Sequence, residues 1–154
     1  MALLIAILED NLERIGVMKE WLTDRLPMYE HAFTDDPETM IRLLEVKSGQ
    51  ILAVSLDHDL YDRADGSTEL TGMIVSDYLA EREPTFPIII HSSNERDSLT
   101  MKTKLICGGW KVQKVLPFDD TNWIGISWYP ALKKAIRRAA RLPPRIPVTE
   151  VERD

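Results

Sequence analysis

Short apolar runs alternate with amphipathic stretches along this chain. Residues 2–8, ALLIAIL, are continuous, apolar and short, which predicts a strand buried on both faces. Residues 11–25 place Leu12, Ile15, Met18 and Leu22 at spacings of three and four, which predicts a helix with one apolar face. Asp10 with Glu13 suits an acidic capping box at its start. Residues 29–34 predict a weaker second strand. Asp36-Pro37 reads as an N-cap with proline at the first helical position. That helix runs to about Lys47 with Ile41, Leu43 and Leu44 inward, and Ser48-Gly49 ends it. Residues 51–56, ILAVSL, predict a third strand, and a polar loop from Asp57 to Glu69 follows, with Gly66 marking a turn. A helix over 71–83, with Ile74, Val75, Tyr78 and Leu79 apolar, stops at Pro84. Residues 87–91 predict the fourth strand, and 95–107 a helix closed by Gly108-Gly109. Residues 110–116 alternate like a fifth strand. A loop over 117–129 leads to Pro130, which opens a last helix, 130–142, ended by Pro143-Pro144.

Five strands alternating with five helices predict an α/β fold: a three-layer (βα)5 sandwich around a five-stranded parallel sheet. Right-handed crossovers leave few topologies. The flavodoxin-like order 2-1-3-4-5 puts the apolar first and third strands inside and the weak second strand at an edge. Residues 1–142 form one domain, and 143–154 a polar tail. The composition agrees: 154 residues, 44% hydrophobic and 29% charged, are those of an ordinary globular domain. A disordered chain, a collagen and a disulfide scaffold are excluded. No apolar run approaches the roughly 20 residues a membrane span needs. The opening segment has no basic start and turns acidic at Glu9, unlike a signal peptide. Cys107 is the single cysteine, so the simplest expectation is a cytoplasmic protein.

Charge changes the picture. The net charge of −6 is uneven: residues 1–132 hold 12 basic and 22 acidic side chains, whereas 133–145 hold six basic and none acidic. The acidic body argues against non-specific duplex DNA binding, which needs many phosphate contacts. In this fold ligands bind beyond the carboxyl ends of the strands. Those ends carry Glu9-Asp10, Asp35-Asp36, Asp57-His58-Asp59, His91-Ser92-Ser93-Asn94 and Asp119-Asp120. Asp36, Asp119 and Asp120 read as caps or solvated charges. Glu9, Asp10 and Asp57 lie on neighbouring strands. Carboxylates gathered there repel one another unless a cation joins them, so they suit Mg²⁺, with Mn²⁺ or Ca²⁺ as alternatives.

Two of the three histidines, His58 and His91, fall on the same rim, while His31 lies on the edge strand as a surface residue. For His58 and His91, a structural role competes with acid–base chemistry. Ser92, Ser93 and Asn94, with the amides that open the next helix, offer a seat for an anion. Phe118, Trp123, Trp128 and Tyr129 either anchor the long loop or stack a nucleobase. Lys133, Lys134, Arg137, Arg138 and Arg141 either form a solvated face or meet RNA phosphates.

The acidic pair after strand one, Asp57 after strand three and Ser92 after strand four resemble the receiver domains of response regulators. That resemblance implies that Asp57 accepts a phosphoryl group, that Glu9, Asp10 and the Asp59 carbonyl share Mg²⁺ with it, and that Ser92 holds the phosphoryl group. The lysine that precedes the proline after strand five in receivers is Leu116 here, and the nearest lysine is Lys114, two residues earlier. LDHDL is also similar to the Asp-x-Asp of haloacid-dehalogenase-type phosphatases, where the second aspartate, here Asp59, is the acid–base group. A closer likeness is to the cyclic-phosphate processing receiver domains, in LEDN with Arg14, SLDHDL, Thr71-Gly72 and HSSN. It implies Asp57, His58, Asp59 and His91 as catalytic groups, with a phosphate-containing small molecule or an RNA end as partner. Three functions follow as expectations: a Mg²⁺-dependent phosphoesterase, a phospho-accepting signalling module, or a non-catalytic pseudo-receiver.

Overall fold

A computed structural model of the chain describes residues 2–60 and 70–141, with the Arg141 side chain excluded. Gly66 and the tail 143–154 lie outside the described residues. The elements are β1 (Leu4–Leu8), α1 (Leu12–Arg25), β2 (Glu30–Thr34), α2 (Pro37–Val46), β3 (Ile51–Leu56), α3 (Gly72–Ala80), β4 (Ile88–His91), α4 (Glu95–Cys107), β5 (Val112–Val115), and a π-helical turn (Ile124–Trp128) that continues directly into α5 (Tyr129–Arg141). All strand pairs are parallel, in the order β2-β1-β3-β4-β5.

Strand periodicity sorts the core into two layers. Leu4, Ala6, Leu8, Val54, Leu56, Ile88 and Ile90 pack against α2, α3 and α4 through Met40, Leu44, Val75, Leu79, Met101 and Leu105. Ile5, Ile7, Ala53, Ile89 and Val115 pack against α1 and α5 through Met18, Leu22, Leu132 and Ile136. The central strands are buried on both faces, as their unbroken apolar runs require.

Local signals account for most helix ends. Asp36 caps α2: its Oδ2 accepts from the Thr39 amide at 3.0 Å, and Pro37 is the first helical residue. Gly49 and Gly109 take positive φ just beyond α2 and α4. At α1 the expected Asp10–Glu13 box gives way to Asn11, whose Oδ1 accepts from the Arg14 amide at 3.0 Å. Leu12, expected inward, is 84% exposed, because the first turn of α1 stands above the end of the sheet. His31 is half-buried rather than solvated, and its Nε2 meets the Leu26 carbonyl at 2.9 Å, closing the end of α1.

The segment 117–129 departs most from expectation. It turns at Asp119 and Asp120, both exposed and at positive φ (50° and 55°), and it is helical from residue 122. Pro130 therefore lies inside a helix rather than opening one. Proline has no N–H to give, and its ring crowds the carbonyl four residues back. The wide turn just before it, where the Tyr129 amide reaches the Ile124 carbonyl five residues earlier, absorbs both effects. Trp123 and Trp128 are fully buried by this arrangement, which makes them anchors rather than stacking platforms, whereas Phe118 is 45% exposed.

Candidate functional site: an acidic row at the sheet's carboxyl end

The register of the sheet builds the site. Leu8 pairs with Leu56 and Leu56 with Ile90, so the next residues, Glu9, Asp57 and His91, form one row across β1, β3 and β4. By strand parity this row faces the layer covered by α1 and α5. Glu9 and His91 are fully buried, and Asp57 is 3% exposed. A carboxylate oxygen of Glu9, one of Asp57 and a ring nitrogen of His91 all lie within 4.8 Å of one another.

Each member is held by donors. Glu9 Oε2 accepts from the Asp10 amide at 3.0 Å and the Asn11 amide at 3.1 Å. Its Oε1 lies 3.2 Å from His91 Nε2, an oblique contact off the axis of a full hydrogen bond. Arg14, from the first turn of α1, spans the two carboxylates, with Nη1 3.5 Å from Glu9 Oε1 and 3.6 Å from Asp57 Oδ2. The Arg14 guanidinium also lies over the Trp123 ring, 5.3 Å from its centroid. Trp123 in turn stacks on the His91 ring at 5.9 Å and 23°. On its far side His91 Nδ1 is 2.6 Å from Ser55 Oγ, which accepts from the Trp128 indole N–H at 2.9 Å.

Burial and like charge split the two carboxyls. Burial raises both. At Glu9 the His91 contact, the Asn11 amide and Arg14 more than offset it, and the group sits at about 2. At Asp57 burial adds to the charge of Glu9, with Arg14 opposing, and the group is pushed up to about 9. Asp57 thus holds a proton at neutral pH and shares it with Glu9. Asp10, half-buried one residue beyond Glu9, adds to the repulsion on Asp57, but among the described residues the group drawn within 4.8 Å includes His91 in its place.

The remaining predicted residues form a second group, nearer the start of α4. His58 Nδ1 is 2.7 Å from Asp59 Oδ1, and its Nε2 is 3.6 Å from Asp97 Oδ2. Asn94 caps α4: its Oδ1 accepts from the Asp97 amide at 3.0 Å, and its Nδ2 donates to Asp97 at 2.7 Å and to Asp59 at 3.3 Å. Ser92 is buried and accepts from the Asn94 amide at 3.1 Å, whereas Ser93 is exposed. Thr71-Gly72 ties this rim to α3. The Gly72 amide donates to the His58 carbonyl at 2.9 Å, and a Cβ at Gly72 would fall on the Asp57 carbonyl oxygen. Lys114 pairs with Ile90, on the opposite face from the acidic row, and Leu116 is 49% exposed.

Sequence reasoning missed Ser55 and Asp97, and read Trp128 as a loop anchor or stacking ring without its tie to Ser55. Ser55 was visible as the one hydroxyl within ILAVSL, at odd parity with Asp57. Trp128 was not legible, because its aim depends on the π-helical turn.

The fold is shared with solved receiver domains. The chain is similar to the signal receiver domain of an HD domain-containing protein from Pseudomonas fluorescens Pf-5 (16% identity, TM-score 0.65, covering 92% of this chain and 100% of that one). It is also similar to the response regulator domain of Thermotoga maritima CheB (17%, 0.62, 94% and 100%) and to a CheY-like receiver domain from Methanospirillum hungatei JF-1 (12%, 0.60, 90% and 99%). At these identities the likeness establishes the fold alone. Comparison with curated protein sequences returns no match. The sequence profile of the cyclic-phosphate processing receiver domain matches residues 7–106, a span that holds Glu9, Asp57 and His91, and the chain belongs to that family.

Proposed function

We propose that this protein is a divalent-metal-dependent phosphoesterase that opens cyclic phosphates on nucleotides or RNA ends. The observation that carries the reading is the buried row of Glu9, Asp57 and His91 with the Arg14 guanidinium across its two carboxylates. The donor set fits a hard cation. Two carboxylates are packed so closely that one retains a proton, and a cation in that position removes the conflict. Glu9, Asp10 and Asp57 are the residues that would hold it. Bound there, Mg²⁺ would polarise a phosphoryl oxygen and offset its charge. Arg14 adds a fixed positive charge beside the phosphate. His58, its Nδ1 engaged by Asp59 and its Nε2 3.6 Å from Asp97, would give or take a proton at the rim through Nε2. Leu116 in place of the receiver lysine supports hydrolysis over conventional signalling.

One observation favours a second reading, a non-catalytic pseudo-receiver: Arg14 already bridges the carboxylates that a cation would join. A single experiment separates the readings. The protein is incubated with Mg²⁺ and 2′,3′-cyclic nucleotides, RNA with a cyclic end, or acetyl phosphate, and phosphorus is followed by NMR. Opened product that disappears in Asp57→Asn and His58→Ala supports the phosphoesterase. A phospho-aspartate on Asp57 would replace it with a signalling module, and silence on every substrate with the pseudo-receiver.

A further inference from the structure

The three groups of the acidic row do not play equivalent parts. Behind His91 runs a chain of buried polar groups: Trp128 Nε1, Ser55 Oγ and His91 Nδ1, with successive distances of 2.9 and 2.6 Å. The indole N–H can only donate, so it occupies a lone pair of Ser55 Oγ. The Ser55 hydroxyl hydrogen is then free to point at the other neighbour, His91 Nδ1, and 2.6 Å suits an O–H donor. A ring that accepts at Nδ1 carries its hydrogen on Nε2. Nε2 is the atom that faces Glu9 Oε1 at 3.2 Å. The ring cannot easily turn over, because it is fully buried and stacked on Trp123.

We infer that Trp128 and Ser55 are positioning residues that fix His91 in the Nε2–H form, so that His91 turns an N–H rather than a lone pair toward Glu9 and is not itself a metal ligand. The inference rests on the cation-binding reading of the rim and deepens it by naming the residues that would keep the row from taking Zn²⁺. With Nε2 hydrogen-bearing, the row offers oxygen ligands only, which suits Mg²⁺ or Mn²⁺. An exposed Nε2 lone pair would add an imidazole ligand and suit Zn²⁺. Outer residues of this kind commonly set the tautomer and the affinity of a metal site. No atom of Trp128 or Ser55 needs to touch substrate or ion.

The test reads the ring directly. Nitrogen-15 NMR of the metal-free protein at neutral pH distinguishes the two tautomers of His91, with no substrate or turnover involved. The wild type is expected to show hydrogen on Nε2 and a bare Nδ1, unchanged in character when Mg²⁺ is added. In Trp128→Phe the Ser55 hydroxyl loses its donor and becomes able to accept from Nδ1, so the population shifts toward Nδ1–H. Zn²⁺ affinity is then expected to rise on the order of tenfold, without a matching gain for Mg²⁺. A wild-type ring with hydrogen on Nδ1, or on both nitrogens, overturns the inference. So does a folded Trp128→Phe protein with unchanged tautomer and Zn²⁺ affinity. If that variant does not fold, the wild-type measurement and Ser55→Ala decide the question: Ser55→Ala must loosen the tautomer, and an unaltered Nε2–H ring there refutes the chain. The phosphorus experiment can fail with the tautomer intact, and the reverse, so the two claims stand separately.

Discussion

At the scale of single residues, Asp57 is the most informative. Its carboxyl is held near 9, against an ordinary value of 3.8. Between those values the folded protein keeps a proton that the unfolded chain has released, so folding stability falls as pH rises through that window. Glu9 acts the other way: held near 2 instead of 4.5, it contributes stability above its ordinary value that is lost as pH falls toward 2. In the presence of a chelator, thermal denaturation should therefore give a melting temperature that declines from pH 5 to pH 9. Asp57→Asn, with no charge to develop, should flatten that decline and melt higher than wild type at pH 8. A wild-type protein that gains stability over this range would refute the assignment. Arg14 offers a matching check. If its guanidinium stands in for the cation, Arg14→Gln should bind Mg²⁺ more tightly, about tenfold by the usual scale of such neighbours, as read by titration calorimetry.

At the scale of elements, two glycines show where the backbone itself sets the geometry. Gly72 lets α3 abut the carbonyl of Asp57, and a Cβ there meets backbone that cannot move aside. Gly125, in the π-helical turn, lies against the Trp21 ring, where a Cβ would meet a half-buried side chain instead. Overpacking of this kind costs about 1–3 kcal/mol. Gly72→Ala should fall at the upper end and Gly125→Ala at the lower, measured by urea denaturation. A larger loss at Gly125 would refute the ranking. The strands and most helices were legible because their signals are local: unbroken apolar runs, the Asp36-Pro37 cap, and the glycines after α2 and α4. The end of the chain was misread because Pro130 usually opens helices, and nothing local in TNWIGISWYP announces a turn closed five residues apart. Asn11 displaced Asp10 as cap because Glu9, bent back onto the Asp10 and Asn11 amides, sets where the helix begins.

At the scale of the whole molecule, the acidity read from composition becomes a local device. The excess negative charge matters where β1 and β3 end, and there it was legible from the strand ends: Glu9, Asp57 and His91 each close a short apolar run on neighbouring strands, and the register then sets them on one face. What could not be read was the division of the rim into two groups, with His58 and Asp59 drawn toward Asn94 and Asp97 by the cap of α4. The whole fold should report cation binding, because an ion that binds only the folded chain stabilises all of it. At a hundredfold excess over Kd the gain is about 2.7 kcal/mol, a rise in melting temperature of roughly 5–10 °C for a domain of this size. The rise should be larger at pH 8 than at pH 6, since binding must displace the proton on Asp57. Equal shifts at both pH values would show that the ion binds elsewhere.

The π-helical turn between Ile124 and Trp128 carries one further consequence. Relative to an ordinary helix it contains a single extra residue, and each residue of an α-helix advances the chain by about 100° around the axis. The later part is locked into the sheet by Ala131, Leu132 and Ile136. The turn closes over five residues instead of four, so it takes up the extra one and leaves the flanking parts nearly in phase. In an unbroken α-helix of the same length Trp123 and Trp128, five residues apart, would stand about 140° apart around the axis, and they could not both serve His91. Deleting one residue would restore the ordinary four-residue closure with both tryptophans near their places, so it is the closure of the turn, and not the length of the loop, that lets two tryptophans grip one histidine.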